Sequence, residues 1–461
     1  MTEPRKLLQQ AVDHAAAYVE TQPTRPIQAR SSYATMLTAF TESFPEHGRD
    51  ASDVIETLAT TAEPGLVAMG SPRYFGFVVG GALPAALAAD VLVSGWDQNT
   101  GLTFGTPSTA AIERVAASWV KDALHLPKTA SVGFVTGGLM ANFTGLASAR
   151  HHVLAAAGWD VEVDGLQGAP RVNIIASAER HATIDMALRY LGIGSGHILA
   201  VATDAQSRIE IDSLHELLSS CSGPTIVCLA AGNINTGAFD DIGRATDLAH
   251  EFDAWVHVDG AFGLWAAAAP TRRFLVDGLE RADSWATDAH KWLNVPYDCG
   301  IAIVAHEASH RIPLGGQASY LVREGGDADP FELVPEFSRR ARGVPVYAAL
   351  ASLGREGLAE MIERCCAQAR YFAARLGELD GARVLNDVVL NQVIVRFDDD
   401  DATTKAVIEG VLADGVAYMT PSTWKGQAVM RISVSNWQTT SHDVDLSFES
   451  VAKVYQHITS P

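Results

Sequence analysis

Two charged residues 32 positions apart (291 minus 259) carry the most specific chemistry this chain offers. Lys291 stands in Thr287-Asp288-Ala289-His290-Lys291-Trp292-Leu293-Asn294, just after the mixed run Ala282-Asp283-Ser284-Trp285-Ala286, where a strand gives way to a turn. Partial burial is what supplies a lysine as the free amine that attacks an aldehyde to give a Schiff base. Asp259 closes the apolar run of His257-Val258-Asp259-Gly260-Ala261, and an acid there is the partner a protonated pyridine nitrogen requires. A lysine taken alone is more often a solvated surface residue. The aspartate upstream turns this one into a candidate for carbonyl chemistry on a pyridine aldehyde.

Three further stretches bear on that chemistry. Gly133-Phe134-Val135-Thr136-Gly137-Gly138-Leu139-Met140-Ala141-Asn142 reads as a strand, a double glycine and a helix start. Glycines permit close backbone approach, and the free amides of a helix N-terminus suit a phosphate. A Gly-Gly pair is often only a turn, and its place ahead of Asp259 and Lys291 is what favours the anion site. In Ala178-Glu179-Arg180-His181-Ala182-Thr183 the histidine follows a strand candidate at 172–176. An imidazole there can stack on a flat ring and bond a substrate carboxylate, or it can cap a helix. His306-Glu307-Ala308-Ser309-His310 matches the H-E-x-x-H zinc pattern, which needs both rings on one helix face. It runs into Arg311-Ile312-Pro313, so the helix is short and no metal is expected. The serines lack a G-x-S-x-G context, which argues against a serine hydrolase.

The elements that must hold these residues follow from periodicity. Short apolar strands at 132–135, 172–176, 197–201, 225–230, 254–258 and 301–304 alternate with helical stretches. That alternation predicts an α/β fold with a mainly parallel central sheet and helices on both faces. Ligands of such sheets gather at the carboxyl ends of the strands, where Gly137, His181, Asn235 and Asp259 all fall. Ahead of the sheet, helical spacing over the first 20 residues and at 51–62 predicts an N-terminal helical arm, and an Ala/Leu run at 83–96 a further helix. After Tyr320 a polar, acidic, glycine-containing stretch at 323–330 reads as a mobile loop. A long helix at 346–377, strands at 388–397 and 428–434 and a helix at 403–414 predict a small C-terminal α/β domain. The expected division is an arm at 1–70, a large domain at 71–343 and the small domain at 344–461.

Composition narrows the partners. A net charge of −20 argues against nucleic acid or an anionic membrane, which recruit basic patches. No stretch of about 20 unbroken apolar residues predicts a membrane span. The first 20 residues are amphipathic rather than continuously apolar, so a signal peptide is not expected. Five scattered cysteines without a C-x-x-C pair suit a reducing, cytoplasmic location.

Taken in order, the motifs resemble the group II pyridoxal-phosphate-dependent decarboxylases, which include the aromatic-amino-acid and glutamate decarboxylases. The resemblance runs over about 71–445. It rests on Thr136-Gly137-Gly138, His181, Asn235-Thr236-Gly237-Ala238-Phe239-Asp240, His257-Val258-Asp259-Gly260-Ala261 and Asp288-Ala289-His290-Lys291-Trp292-Leu293. Ser338-Arg339-Arg340 and Arg431-Ile432-Ser433-Val434-Ser435-Asn436-Trp437 extend it.

The resemblance implies a fold-type-I enzyme with pyridoxal 5'-phosphate on Lys291, Asp259 at the pyridine nitrogen, Ala261 packed against the ring and His181 stacked on it. It places Thr136, Gly137, Gly138, Leu139, Asn235 and His290 among the cofactor contacts, with amides around Gly138 and Leu139, and His290, at the phosphate. Phe77, Val78, Val79, Gly80, Thr100, Leu102 and Phe104 would line the substrate pocket. The implied assembly is a homodimer with active sites at its interface. Three departures stand out. Leu139 replaces a usual hydroxyl residue, and Asn235 stands near where a small or hydroxyl residue is usual. The family's loop tyrosine, a proton donor, would fall near Pro330 or Phe331, whereas Tyr320 lies at the loop's start.

The implied reaction is removal of the α-carboxylate of an L-amino acid, aromatic side chains favoured. Aldehyde formation, aldol cleavage or transamination on the same cofactor are the alternatives within this chemistry. A catalytically silent binding protein of the same fold is the alternative outside it.

Overall fold

Residues 3–315 and 328–460 are described by a computed structural model. The chain divides into two units, Met1–Gly81 with Tyr371–Val384 and Val395–Pro461, and Ala82–Arg370 with Leu385–Ile394. These bounds differ from three successive segments because the N-terminal residues associate with the C-terminal strands. Ile27 N bonds Gly415 O at 2.9 Å, and the rings of Tyr74 and Tyr418 stack with centroids 4.6 Å apart.

The larger unit is built on seven strands: β1 (Ser131–Val135), β2 (Asn173–Ser177), β3 (Leu199–Val201), β4 (Thr225–Ala230), β5 (Trp255–Asp259), β6 (Ser284–Asp288) and β7 (Gly300–Val304). Their order across the sheet is β1-β7-β6-β5-β4-β2-β3. The pairs β6–β5, β5–β4, β4–β2 and β2–β3 are parallel, and only β7 runs against its neighbours. Registers Ala230↔Asp259 and Asp259↔Ala286 bring the carboxyl ends of β4, β5 and β6 to one edge. β1, β2, β5 and β6 end at or just before a polar residue, and β1, β6 and β7 are buried throughout.

One helix, Gly138–Ala156, lies across β5, β6 and β7. Its Leu146, Ala147, Ala149 and Val153 join Ile174, Ile184, Leu188, Ile226 and Trp255 in a core cluster, each large apolar side chain contributing roughly 1.5–3 kcal/mol on burial. The helix Ile242–His250 also packs on β5. The helix Gly343–Leu376 is broken at Gly354, where φ is 61° and ψ is −174°.

The other unit holds helices Pro4–Thr21, Tyr33–Phe40 and Ala51–Ala62. The sheet β10-β11-β9-β8 comprises β8 (Ala382–Val384), β9 (Gln392–Phe397), β10 (Thr420–Trp424) and β11 (Gln427–Ser433). The helices Asp401–Asp414 and Ser441–Thr459 complete it.

Candidate active site

At the carboxyl edge of the large sheet, His181, Asp259, Ala261 and Lys291 line one cleft, together with Arg180, Gly232, Asn233, Ile234 and Phe262. Each arrives there for a local reason. Asp259 is the last residue of β5, and its Oδ1 accepts the amide of Ala261 at 3.2 Å. Its Oδ2 accepts Nδ2 of the buried Asn142 at 3.2 Å. Lys291 follows β6 by three residues, and its Nζ lies 2.8 Å from Asp288 Oδ2. His181 is the N-cap of the helix Ala182–Tyr190, its Nδ1 accepting the amide of Thr183 at 3.3 Å. It therefore caps a helix and lines the cleft at once.

The double glycine opens the helix Gly138–Ala156, with Gly137 as its N-cap. A Cβ on Gly138 would stand 2.7 Å from Asp288 Oδ2, and one on Gly137 would stand 3.1 Å from His290 Cε1. The lack of a Cβ lets this turn lie close against the side chains at and just after the end of β6. His290 Nδ1 accepts the amide of Cys299 at 3.1 Å, so the neutral ring keeps its proton on Nε2, 3.5 Å from Asp288 Oδ1. Burial lowers the His290 pKa, and the Asp288 carboxylate opposes that shift. Tyr297 stacks on the same ring, with centroids 4.3 Å apart.

These residues fit a phosphorylated pyridine aldehyde. A cradle that a Cβ would fill offers helix amides to a phosphate, an amine stands at the cleft wall, and a carboxylate with both oxygens oriented closes the other side.

The other expected residues stand in varied surroundings. Leu139 packs its side chain into the core cluster, so any phosphate contact from it is through its amide. Asn235 sits inside a turn whose key side chain is Asn233. Asn233 Oδ1 accepts the amides of Asn235 and Thr236 at 2.9 and 3.1 Å, and Asn233 rather than Asn235 lines the cleft. Thr100 is fully buried and spends its hydroxyl on Thr109 Oγ1 at 2.7 Å, which makes it a packing residue rather than a pocket wall. Leu102 O accepts the amide and hydroxyl of Thr106, each at 3.0 Å, and Phe104 is exposed; neither lines the cleft that holds Lys291. Phe77, Val78, Val79 and Gly80 belong to the other unit. There Val78 is buried with φ 59°, and Phe77 is half exposed beside Tyr418. Thr136 is half-buried just before the cradle. Tyr320 lies outside the described residues.

The H-E-x-x-H stretch engages its two rings separately. His310 is buried with Nδ1 2.7 Å from Ser131 Oγ, whereas His306 precedes the helix Glu307–Leu314 and faces Asp283 at 3.7 Å. Spacing also gave no role to Asn142, Asn233, Asp288 or Arg180. Asn142 and Asp288 lie inside the motif stretches, but nothing in their spacing says that they become buried beside Asp259 and Lys291.

A mainly parallel seven-stranded sheet with one reversed strand, carrying a lysine and an aspartate at its carboxyl edge, is the arrangement expected of a pyridoxal-phosphate enzyme of fold type I. Residues 34–398 match the family model described as the pyridoxal-dependent decarboxylase conserved domain, and the chain belongs to that family. An aromatic-L-amino-acid decarboxylase of Bacillus atrophaeus is 26% identical, over 96% of this chain and 93% of that protein. A 4-hydroxyphenylacetaldehyde synthase of Rhodiola rosea is 24% identical, over 97% and 94%. The crystal structure of Oryza sativa TDC with PLP and tryptamine matches with a TM-score of 0.92 at 24% identity, covering 100% of both chains, a likeness of fold.

Proposed function

We propose that this chain removes the α-carboxylate of an aromatic L-amino acid, releasing carbon dioxide and the amine. Lys291 attaches pyridoxal phosphate, Asp259 faces its ring nitrogen, His181 and Ala261 flank the ring, and the amides at Gly137 and Gly138, with His290, hold the phosphate. When bound, the cofactor supplies an aldehyde for the amine and a protonated ring that draws electrons from a bond at the substrate α-carbon. The observation that carries the reading is the convergence of His181, Asp259 and Lys291 on one cleft. A carboxylate cannot donate a hydrogen bond, so Asp259 holds a ring nitrogen only when that nitrogen carries the proton. The aromatic preference rests on what the Bacillus relative is named for.

Two measurements test this. Borohydride reduction followed by peptide mapping should place the cofactor on Lys291, and finding it on another lysine would end the assignment. Incubation with a panel of amino acids, scoring carbon dioxide, amine and aldehyde together, should show amine from an aromatic substrate. Aldehyde as the main product would favour the second reading, which rests on Pro330 and Phe331 standing where the family's loop tyrosine would fall and on the Rhodiola relative.

A homodimer belongs to the same reading. The arm helices leave Leu8, Val12, Val19, Tyr33, Leu37 and Phe40 exposed, an apolar surface that a second copy would cover. Four of the five cysteines are buried and none is in a disulfide, which suits a reducing cytoplasm.

A further inference from the structure

Asn142 stands at a branch point. Its side chain is 1% exposed, on the helix that begins at Gly138. Nδ2 lies 3.2 Å from Asp259 Oδ2 and 3.1 Å from Thr183 Oγ1, and Oδ1 lies 2.9 Å from His257 Nε2. His257 Nδ1 is 2.9 Å from Ser284 Oγ, which in turn takes Trp255 Nε1–H at 2.9 Å. The direction of every bond follows from the two ends. An indole nitrogen only donates and a carboxylate only accepts. Ser284 therefore accepts from Trp255 and passes its own hydrogen to His257 Nδ1. His257 Nε2–H donates to Asn142 Oδ1, and the Asn142 amide group is left with its two hydrogens for Asp259 and Thr183.

The second branch ends at His181. Thr183 Oγ1 accepts one Asn142 hydrogen and lies 2.8 Å from His181 Nδ1, which also takes the Thr183 backbone N–H at 3.3 Å. Having accepted from Asn142, the Thr183 hydroxyl turns its own hydrogen to Nδ1 at 2.8 Å, the shorter and stronger of the two bonds, and that leaves this nitrogen unprotonated. Neutral His181 therefore carries its proton on Nε2, the nitrogen not used in the cap, as a donor for a carboxylate or as a source of a proton.

We propose that Asn142 is the positioning residue that sets both walls of the cleft, aligning the Asp259 carboxylate directly and fixing the His181 tautomer through Thr183. His257, Ser284 and Trp255 hold the Asn142 amide in the one orientation that serves both. The chain has made room for this arrangement. A Cβ at Gly145 would stand 2.6 Å from His257 Cε1, so only glycine on that helix turn admits the imidazole. Burial pushes the His257 pKa down to about 3, so the ring stays neutral and the bond directions do not change at ordinary pH. The proposal rests on the reading that Asp259 and His181 serve the cofactor.

The test uses the cofactor-loaded protein with histidine-selective 15N labelling, alongside the cofactor dissociation constant from visible absorbance. In the unaltered protein both His257 and His181 should show the Nε2–H form. Asn142→Leu should weaken cofactor binding roughly tenfold to a hundredfold, the range for losing a hydrogen bond to a charged group, and should mix the His181 tautomers. Thr183→Val should mix the His181 tautomers while changing the dissociation constant by less than about threefold. His257→Gln retains a donor toward Asn142 and should bind the cofactor within about threefold of the parent, whereas His257→Leu should not. A role in filling space alone would make leucine at least as good as glutamine. An Nδ1–H signal for either histidine in the parent overturns the proposal, as does Asn142→Leu with both readouts unchanged. If Asn142→Leu does not fold, the parent tautomers and Thr183→Val decide. Asp259→Asn with unchanged turnover would instead overturn the reading beneath it.

Discussion

Asp288 Oδ2 lies 2.8 Å from Lys291 Nζ, so the amine proposed to carry the cofactor is held by the residue that ends its own strand. The side chains are 2% and 18% exposed, and the same carboxylate lies against Gly138 in the glycine cradle. It therefore supports the lysine before the cofactor arrives and opposes a phosphate afterwards. Asp288→Asn should cost the cofactor-free protein about 1–3 kcal/mol, the partly exposed lysine being relieved by solvent. It should also tighten cofactor binding by up to about tenfold at low salt, since one negative charge is gone from beside the phosphate. Thermal melts with and without pyridoxal phosphate should show a wider gap in the variant. A narrower gap would mean that Asp288 belongs to the binding set.

Arg339, part of the Ser338-Arg339-Arg340 landmark, makes a buried fork with Glu113: Nη1 to Oε2 is 2.6 Å and Nη2 to Oε1 is 3.0 Å. It also donates to Thr100 O at 2.7 Å and Phe134 O at 3.1 Å, and Gly343 N donates to Glu113 at 2.9 Å. Glu113→Ala strands the guanidinium in the core and should cost about 3–5 kcal/mol in urea unfolding. Arg339→Lys keeps the charge but loses the planar fork, and should cost about 2 kcal/mol or more. A lysine variant as stable as the parent would show that the fork geometry contributes nothing.

Most strands between 131 and 304 were legible as short apolar runs, whereas β6 is the mixed run Ser284–Asp288. The end of one apolar run marked Asp259, which is the last residue of β5, and the turn after the mixed run marked Lys291, three residues past β6. The helix Tyr33–Phe40 left no such trace. It is eight residues long and buries none of them, so no stripe marks it. Strand β8 is three residues and β10 alternates around Pro421 and Ser422, both too weak to read as strands alone. What spacing could not supply was tertiary burial. Thr100 looks like a pocket hydroxyl until Thr109 is found beside it, and Asn142 looks like an ordinary helix residue until β5 brings Asp259 and His257 to its two ends. Polar groups acquire roles from partners distant in sequence, and a single chain does not state those distances.

Phe331, near which the family's loop tyrosine would fall, does not line the cleft that holds Lys291. Phe331 is 2% exposed, its amide donates to Gly101 O at 3.1 Å, and its ring packs against Phe337 with centroids 4.8 Å apart. Phe331→Tyr would thus bury a hydroxyl and should cost about 1–3 kcal/mol while leaving the ratio of amine to aldehyde unchanged. A shift toward amine would show that this ring does reach the reacting carbon. Tyr320→Phe should likewise change the ratio little. Loss of amine with cofactor still bound would identify Tyr320 as the proton donor.

His257 also gives the fold a pH dependence whose sign can be worked out. Its folded pKa is pushed down to about 3 by burial, against an ordinary value of 6.5. Above 6.5 neither state binds the proton. As pH falls below that value the unfolded chain takes up a proton that the folded chain refuses, so stability is lost progressively from about 6.5 down toward 3. At pH 5 the loss from this one group is about 2 kcal/mol. His310, buried and pushed down to about 4, acts in the same sense and adds to the slope. Urea unfolding at pH 7 and pH 5 should show the parent losing about 2 kcal/mol more than His257→Gln, because glutamine has no proton to gain. Equal losses in the two proteins would mean that the imidazole can take a proton in the folded state, and the bond directions assigned around Asn142 could not then hold.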